Sequence, residues 1–222
     1  TPDRGKIPLI ARGARRKNSR IAAASPLLAY SELTLYRRGS WFLLDEASTV
    51  ELFDGVRRDI VLLALASYFA ELTEAVCPEE TAAPELLSLL LNALYALCYL
   101  DREARLVKAA FQLRLLALAG FEPLASSCAV CGRPEPEAPM LDVVHGVVHC
   151  GGCKRQGGLS MPLTAAGLAA LRHILYCDSK KLYSFTLEET ALRELDHAGE
   201  AFAASQLERS FRTLDYYKSL LG

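Results

Sequence analysis

The chain has 222 residues, 51% of them apolar, and a formal net charge of −1. That composition supports a sizeable core and excludes a disordered or collagen-like chain. The longest mainly apolar run, Ile60 to Ala70, falls far short of the roughly 20 residues of a membrane span, and no signal-type segment opens at Thr1, so a soluble, cytosolic protein is expected.

The near-neutral total conceals an asymmetry. Thr1 to Arg38 carries nine basic residues against two acidic ones, whereas Trp41 to Ser127 carries six against 13. One strongly basic lobe on a neutral chain points to a polyanionic partner for that lobe, with a solvated charged surface as the plain alternative.

The first segment reads as β. Lys6–Gly13 and Leu27–Arg37 are strand-like, Gly39-Ser40 is a turn signal, and Trp41–Leu44 begins a further strand. Alternation in the second strand puts Ser31, Leu33 and Leu35 on one face and Tyr30, Glu32, Thr34 and Tyr36 on the other. A basic loop, Gly13 to Arg20, separates the first two strands. Short strands around such a loop fit a small barrel or a partly open sheet, whose faces and loops hold single-stranded nucleic acid. Tyr30, Tyr36 and Trp41 are available for base stacking, with Trp41 expected in the core.

From about Asp59 the apolar period lengthens to that of a helix. Ile60–Val76 is one helix, stopped at Pro78, and Pro84–Leu100 is a second, opened by its proline. Asp101 is positioned to cap a third that runs through Ala119 to Gly120. After a Cys-, Gly- and Pro-rich insert, Thr164–Tyr176 is a short helix. Thr186-Leu-Glu-Glu189 has capping-box spacing and opens a helical region to Leu221. Cys77, Cys98 and Cys177 lie alone in these apolar stretches and read as small buried hydrophobes.

The insert carries the sharpest signal. Cys128-Ala-Val-Cys131 and Cys150-Gly-Gly-Cys153 have the C-x2-C…C-x2-C spacing of a structural zinc site. Two intervening residues let the chain turn tightly enough to aim both thiolates at one ion, and Gly132, Gly151 and Gly152 permit positive φ. The excursion between the pairs fits a hairpin, Met140–Val144 and Val147–His149 about His145-Gly146. One zinc on Cys128, Cys131, Cys150 and Cys153 fills all four positions with sulfur, which favours a structural role. Two disulfides or a redox-active pair are the alternatives. His145 and His149 read as loop residues, and His173 and His197 as surface or capping groups. No phosphate-binding loop, nucleophile elbow or H-E-x-x-H is present, so neither an enzyme nor a small-molecule substrate is expected.

Four stretches together resemble the bacterial RecO family: Asp3–Arg20, Glu32–Tyr36, Phe111–Phe121 leading to the first Cys pair, and Ser210–Leu221. The resemblance implies an α+β protein. Residues 1–58 would form an OB-fold-like β-barrel, and 59–126 with 161–222 an all-α domain into which a four-Cys zinc module, 127–160, is inserted. It implies a non-enzymatic recombination mediator of the RecF pathway that binds single- and double-stranded DNA and anneals complementary strands. With RecR it would help load RecA on DNA coated with single-strand-binding protein (SSB), whose acidic, Phe-ended tail it contacts. Its place would be the bacterial cytoplasm, at the nucleoid during repair. Carried over by residue, the DNA contacts fall on Arg4, Lys6, Arg12, Arg15, Arg16, Lys17, Arg20, Arg37 and Arg38, and Arg114 is the candidate for the tail pocket. Members of the family carry about twenty residues ahead of the position of Thr1 that supply a first strand, so the resemblance leaves open a barrel without that strand or one whose strand is disordered or cut away; and not all members keep the zinc cysteines. A reading from another class is a zinc-ribbon scaffold whose basic lobe binds RNA or an acidic protein.

Overall fold

The computed structural model describes residues 1–14, 20–153 and 157–222. Among them an N-terminal sheet leads into a helical bundle that carries a second small sheet. The α+β class is therefore as expected.

The N-terminal sheet has strands β1 (Leu9–Ile10), β2 (Tyr30–Arg38) and β3 (Trp41–Glu51) in the order β1-β3-β2. Strand β3 pairs parallel with β1 and antiparallel with β2, which precedes it through a turn at Gly39 (φ 64°). Among the described residues this is an open three-stranded sheet and not a closed barrel. The expected first strand shrinks to two residues for a local reason. Gly5 and Lys6 instead join the connection after the first long helix, where Lys6 N donates to Pro78 O (3.0 Å) and Glu80 N to Lys6 O (3.3 Å). Any Cβ at Gly5 would stand 2.4 Å from the carbonyl oxygens of both Pro78 and Thr81, so only glycine allows that approach.

Strand β2 is an edge. Ser31 and Leu35 are half-buried as alternation predicts, but Leu33 is 39% exposed. A register shift at Thr34/Leu35 leaves Asp45 as an extra residue in β3, which bends the pair. Trp41 is 53% exposed, which corrects its assignment to the core: it faces Arg38 across the last rung of the hairpin, beyond the reach of the bundle. A four-residue helix, α1 (Arg20–Ala23), and a short α2 (Asp54–Arg58) flank the sheet. Phe53, Val56, Ala66 and Leu94 form a small apolar joint between sheet and bundle, where Gly55 sits against Cys98.

The bundle comprises α3 (Ile60–Val76), α4 (Pro84–Tyr99), α5 (Ala104–Leu118), α6 (Ala165–Tyr176), α7 (Glu189–Leu207) and α8 (Arg212–Ser219). Helix α5 is its axis, buried almost all round, with Phe111 stacked on Phe69 at 4.2 Å between ring centroids. Each Leu or Phe fully withdrawn from water contributes about 1.5–3 kcal/mol, so this axis is a large contributor to the hydrophobic stabilisation. Asp59 caps α3, accepting from Val61 N and Leu62 N, and Thr164 caps α6 through Gly167 N (2.9 Å).

Two predicted caps are not formed. Asp101 adopts φ 46° and α5 starts at Ala104, after Glu103; α7 starts at Glu189 with no side-chain cap, so the Thr186 box is unused. The C-terminal helical region breaks at Glu208 (φ 50°) into α7 and α8. Cys77, Cys98 and Cys177 are half-buried at the edge of the apolar clusters and not inside them. Among the described residues no helix is long and apolar enough to cross a membrane.

Helix α8 is fastened by Glu71 of α3, whose carboxylate accepts from Thr213 N (3.1 Å), from the Thr213 hydroxyl and from Arg209 (3.3 Å). Partial burial pushes this carboxyl up, but the Thr213 donors and the Arg209 charge outweigh it and hold it below its ordinary value. A lowered carboxyl contributes stability that is present above its unfolded value and lost as pH falls through its folded one. Glu71→Gln is therefore expected to cost about 1 kcal/mol at pH 7, and the difference from wild type to vanish below about pH 3. Urea titrations at the two pH values check it; a deficit that does not depend on pH would contradict the assigned charge.

Candidate metal centre and basic surface

The four paired cysteines converge. Their Sγ atoms all lie within 4.8 Å of one another, and Cys131 and Cys150 stand 3.8 Å apart. A tetrahedral ion with metal–sulfur bonds of about 2.3 Å has sulfur–sulfur edges of about 3.8 Å, the Cys131–Cys150 separation, so the donor set is close to what such an ion needs. A disulfide needs about 2.05 Å, whereas Cys131 and Cys150 stand 3.8 Å apart, so the geometry favours a shared ion over a disulfide. Cys128 and Cys150 are buried, Cys153 is half-buried and Cys131 faces solvent.

The local fold explains the convergence. Strands β4 (Pro139–Asp142), β5 (Val147–Cys150) and β6 (Ser160–Pro162) form a sheet in the order β5-β4-β6. The expected hairpin is β4–β5, with Pro139 opposite Cys150. Ala129 N donates to Val148 O (2.9 Å) and fastens the first cysteine loop beside β5. Gly132, at φ 74°, closes that loop onto Cys128 O (2.9 Å). Gly151 and Gly152 do not need positive φ, contrary to expectation. Gly151 is required for space, because a Cβ there would meet Ala138 O at 3.0 Å.

Burial raises the Cys128 thiol, but donated amides of Cys131, Cys150 and Val130 outweigh it and bring it down to about 6. Cys153 is pushed up to about 12, first by its hydrogen bond with Cys131 and then by burial. One thiol favoured as thiolate by amides stands beside Cys150 and Cys153, which are held up; a bound dication would displace their protons. The cluster can hold a metal ion, and with four sulfur donors it leaves no open position for a reacting water.

His149 is buried on β5 and not in a loop, with Nδ1 2.8 Å from Cys150 O and Nε2 2.8 Å from Ser160 Oγ. His145, in the turn, pairs with Asp142 (2.7 Å). His173 meets the Lys181 carbonyl (2.9 Å), and His197 is exposed.

Arg172 of α6 was invisible to sequence reasoning. Its guanidinium donates to Ala125 O (2.8 Å), Ser126 O (3.1 Å) and Pro134 O (2.6 Å) and pairs with Glu135 (2.8 Å), gripping both limbs of the first cysteine loop. These contacts cross 37 to 47 residues of sequence, and no spacing rule signals them.

The predicted basic set divides. Arg4 and Arg37 flank one ring, Phe42, at 5.9 and 5.7 Å from its centroid. Arg38 is exposed at the same hairpin end, with Trp41 (53% exposed) opposite and Tyr36 (46%) two residues away. Arg12 is exposed and Lys6 is drawn to Glu79 (3.4 Å). Arg15, Arg16 and Lys17 lie outside the described residues, as does the side chain of Arg20, whose backbone opens α1. The middle of the sheet is different: a concavity of about 760 Å³ is floored by Ile21 and Leu33 and rimmed by Glu32, Asp45 and Glu46. Its carboxylates repel phosphate, so among the described residues the cations that lie beside exposed rings are at the hairpin end.

Arg114 lines a cleft of about 430 Å³ with Pro84, Ser88, Leu89, Leu118 and Leu182. Its guanidinium is bound to the carbonyl oxygens of Leu175 and Cys177 at the end of α6.

Comparison with known proteins gives one result throughout. The family model described as "Recombination protein O N terminal" matches residues 1–53, and "Recombination protein O C terminal" matches residues 57–215. The chain is 35% identical over 228 residues to the DNA repair protein RecO of Anaeromyxobacter dehalogenans, covering all of this chain and 89% of that protein. It is 30% identical over 227 residues to that of Symbiobacterium thermophilum (99% and 88% covered) and 29% identical over 218 residues to that of Acetivibrio thermocellus (98% and 87%).

Proposed function

Because the chain belongs to the RecO family of DNA-repair proteins, we propose that it is a recombination mediator that works by binding and not by catalysis. It binds single- and double-stranded DNA, anneals complementary strands and, with RecR, helps load RecA on SSB-coated DNA in the bacterial cytoplasm. The observation that carries the DNA reading is the hairpin end, where Arg38 lies opposite exposed Trp41 and two residues from exposed Tyr36, and Arg4 and Arg37 lie over the ring of Phe42. Cations there neutralise phosphates while rings stack bases, a combination that binds single strands without reading sequence. An annealer needs no more: it screens two repelling backbones and leaves base edges free to pair.

In this reading residues 1–58 contact DNA, one zinc on the four cysteines holds 127–160 folded, and the helices of 59–126 and 161–222 present protein-binding surfaces. The Arg114 cleft has the chemistry for the acidic, Phe-ended SSB tail: apolar walls from Leu89, Leu118 and Leu182 beside a guanidinium. Charge reversal of Arg15, Arg16 and Lys17 to Glu is expected to abolish annealing of complementary oligonucleotides with the circular dichroism spectrum unchanged. Arg37→Glu with Arg38→Glu is expected to weaken DNA binding across all sequences and to lower the salt slope by about 1 per lost phosphate contact. Unchanged annealing in the triple variant would remove that loop from the interface.

A further inference from the structure

We propose that Arg172 and the end of helix α6 couple metal occupancy of the four-cysteine centre to the shape of the Arg114 cleft, so that the metal tunes the cleft's affinity without touching its occupant. The inference rests on the reading of that cleft as the receptor of an acidic, Phe-ended peptide, and it gives the metal a role beyond holding the module folded.

The connection is short and made of fixed contacts. At one end, the cysteine loop from Cys128 to Cys131 is entered through Ala125–Ser126 and left through Pro134–Glu135. Arg172 holds carbonyls of both limbs and the Glu135 carboxylate. The spacing of those limbs follows from where Cys128 and Cys131 are held, and a shared ion holds them against Cys150 and Cys153. At the other end, Arg114 donates to Leu175 O and Cys177 O, three and five residues beyond Arg172 on the same helix and its cap. At 1.5 Å of rise per residue these carbonyls lie only about 4.5 and 7.5 Å along the axis from Arg172. Between them His173 meets Lys181 O (2.9 Å) and packs on Phe185, tying α6 to the segment that carries the cleft residues Ser179 and Leu182.

The two guanidiniums therefore tie one short helix end to two different neighbours. Arg172 fixes it to the metal module, and Arg114 fixes it to α5 and forms part of the cleft. Without the ion, the four thiols have no common centre and the limbs are held only by backbone bonds such as Cys128 N to Arg133 O (2.8 Å) and Gly132 N to Cys128 O (2.9 Å), which leave them looser. Arg172 can then no longer satisfy all its acceptors at once, and the helix end is held by Arg114 alone. The cleft wall formed by Arg114, Ser179 and Leu182 shifts with it. Arg172 is in this sense a positioning residue for a site that it does not line.

The test is a thermodynamic cycle on the full chain, because a contiguous path alone does not demonstrate coupling. The probe is a fluorescent acidic decapeptide ending in Phe, titrated into zinc-loaded and chelated wild type and into zinc-loaded and chelated Arg172→Ala. Zinc content and circular dichroism are recorded for each. Chelation is expected to weaken the wild-type complex about tenfold, and Arg172→Ala to weaken it similarly with zinc retained. Chelating the variant should then add less than twofold, since the link is already cut; a purely structural role for the metal predicts the same further loss in both backgrounds. Amide exchange in residues 175–182 gives a readout that needs no peptide, and it should rise on chelation of wild type but not of the variant. Equal affinity and equal exchange in loaded and chelated wild type would overturn the coupling. If chelation unfolds the chain, the loaded variant decides alone, and wild-type affinity and exchange there overturn the coupling equally. If the peptide ignores loaded wild type, or binds Leu89→Glu unchanged, the cleft reading fails while exchange still decides the coupling.

Discussion

Replacing Lys108 with alanine is expected to destabilise the bundle by about 3–5 kcal/mol, the largest effect of any single charged residue described here. The ammonium is 2% exposed on α5 and lies 2.8 and 2.9 Å from the two carboxylate oxygens of Asp196. It also reaches Glu200, which in turn binds Lys218 of α8 (2.6 Å). Gln112 extends the network: its amide donates to Asp196 O (3.3 Å), and its carbonyl accepts from Tyr68 (3.1 Å). Truncating Lys108 leaves a carboxylate that is 7% exposed without its counter-charge, and in a low dielectric that desolvation penalty is what the variant feels.

The sign with pH follows. Burial already pushes the Asp196 carboxyl up despite Lys108, and losing the cation raises it further. A raised carboxyl is accommodated when protonated, so the deficit should shrink as pH falls towards about 4 and grow above it. Lys108→Met combined with Asp196→Leu and Glu200→Leu, which removes the charges together, should recover most of the loss. Urea unfolding at pH 4 and pH 7 measures this. A deficit below about 1 kcal/mol at pH 7 would mean that water reaches the cluster in solution.

The second large effect is at the cysteines. Cys128→Ser is expected to abolish stoichiometric zinc binding and to lower Tm by about 10 °C or more, since a chain of this length loses roughly 2–4 °C per kcal/mol. Cys128 is the buried ligand that receives amides from Cys131 and Cys150, so its loss disrupts both pairs. Cys77→Ser, in a half-buried thiol remote from the cluster, serves as the control and should keep zinc and Tm. Metal analysis with calorimetry before and after chelation checks both. An unchanged Tm on removal of the metal would show that β4, β5 and β6 hold the module without it.

What was legible in the sequence follows from how far each interaction reaches along the chain. The cysteine pairs, the starts of α3 and α6 and the Gly39-Ser40 turn are decided within a few residues, and they appear where the pattern puts them. Asp101 and Thr186 satisfy the same local rules yet cap nothing, because the chain enters α5 and α7 from directions set by the bundle. Trp41 and Leu33 have core composition, but their exposure depends on what lies across the sheet, and strand alternation is silent about that. Arg172 and Lys108 act through contacts spanning 37 to 92 residues; one looks like a surface arginine and the other like an interruption of an apolar helix. The basic lobe was legible as a charge count, but the split of its described residues between the hairpin end and the Glu79 contact was not, nor was the acidic concavity beside the bulge at Asp45.

The most direct test of the DNA-mediator reading is a salt series of binding to fluorescent oligo(dT), made with protein assayed for zinc. It predicts micromolar or tighter binding at low salt and about one zinc per chain. Affinity should fall by about 0.7 decades per decade of salt for each phosphate contacted, and less steeply in the Arg37→Glu, Arg38→Glu variant. No binding at low salt, or binding insensitive to salt, would contradict it.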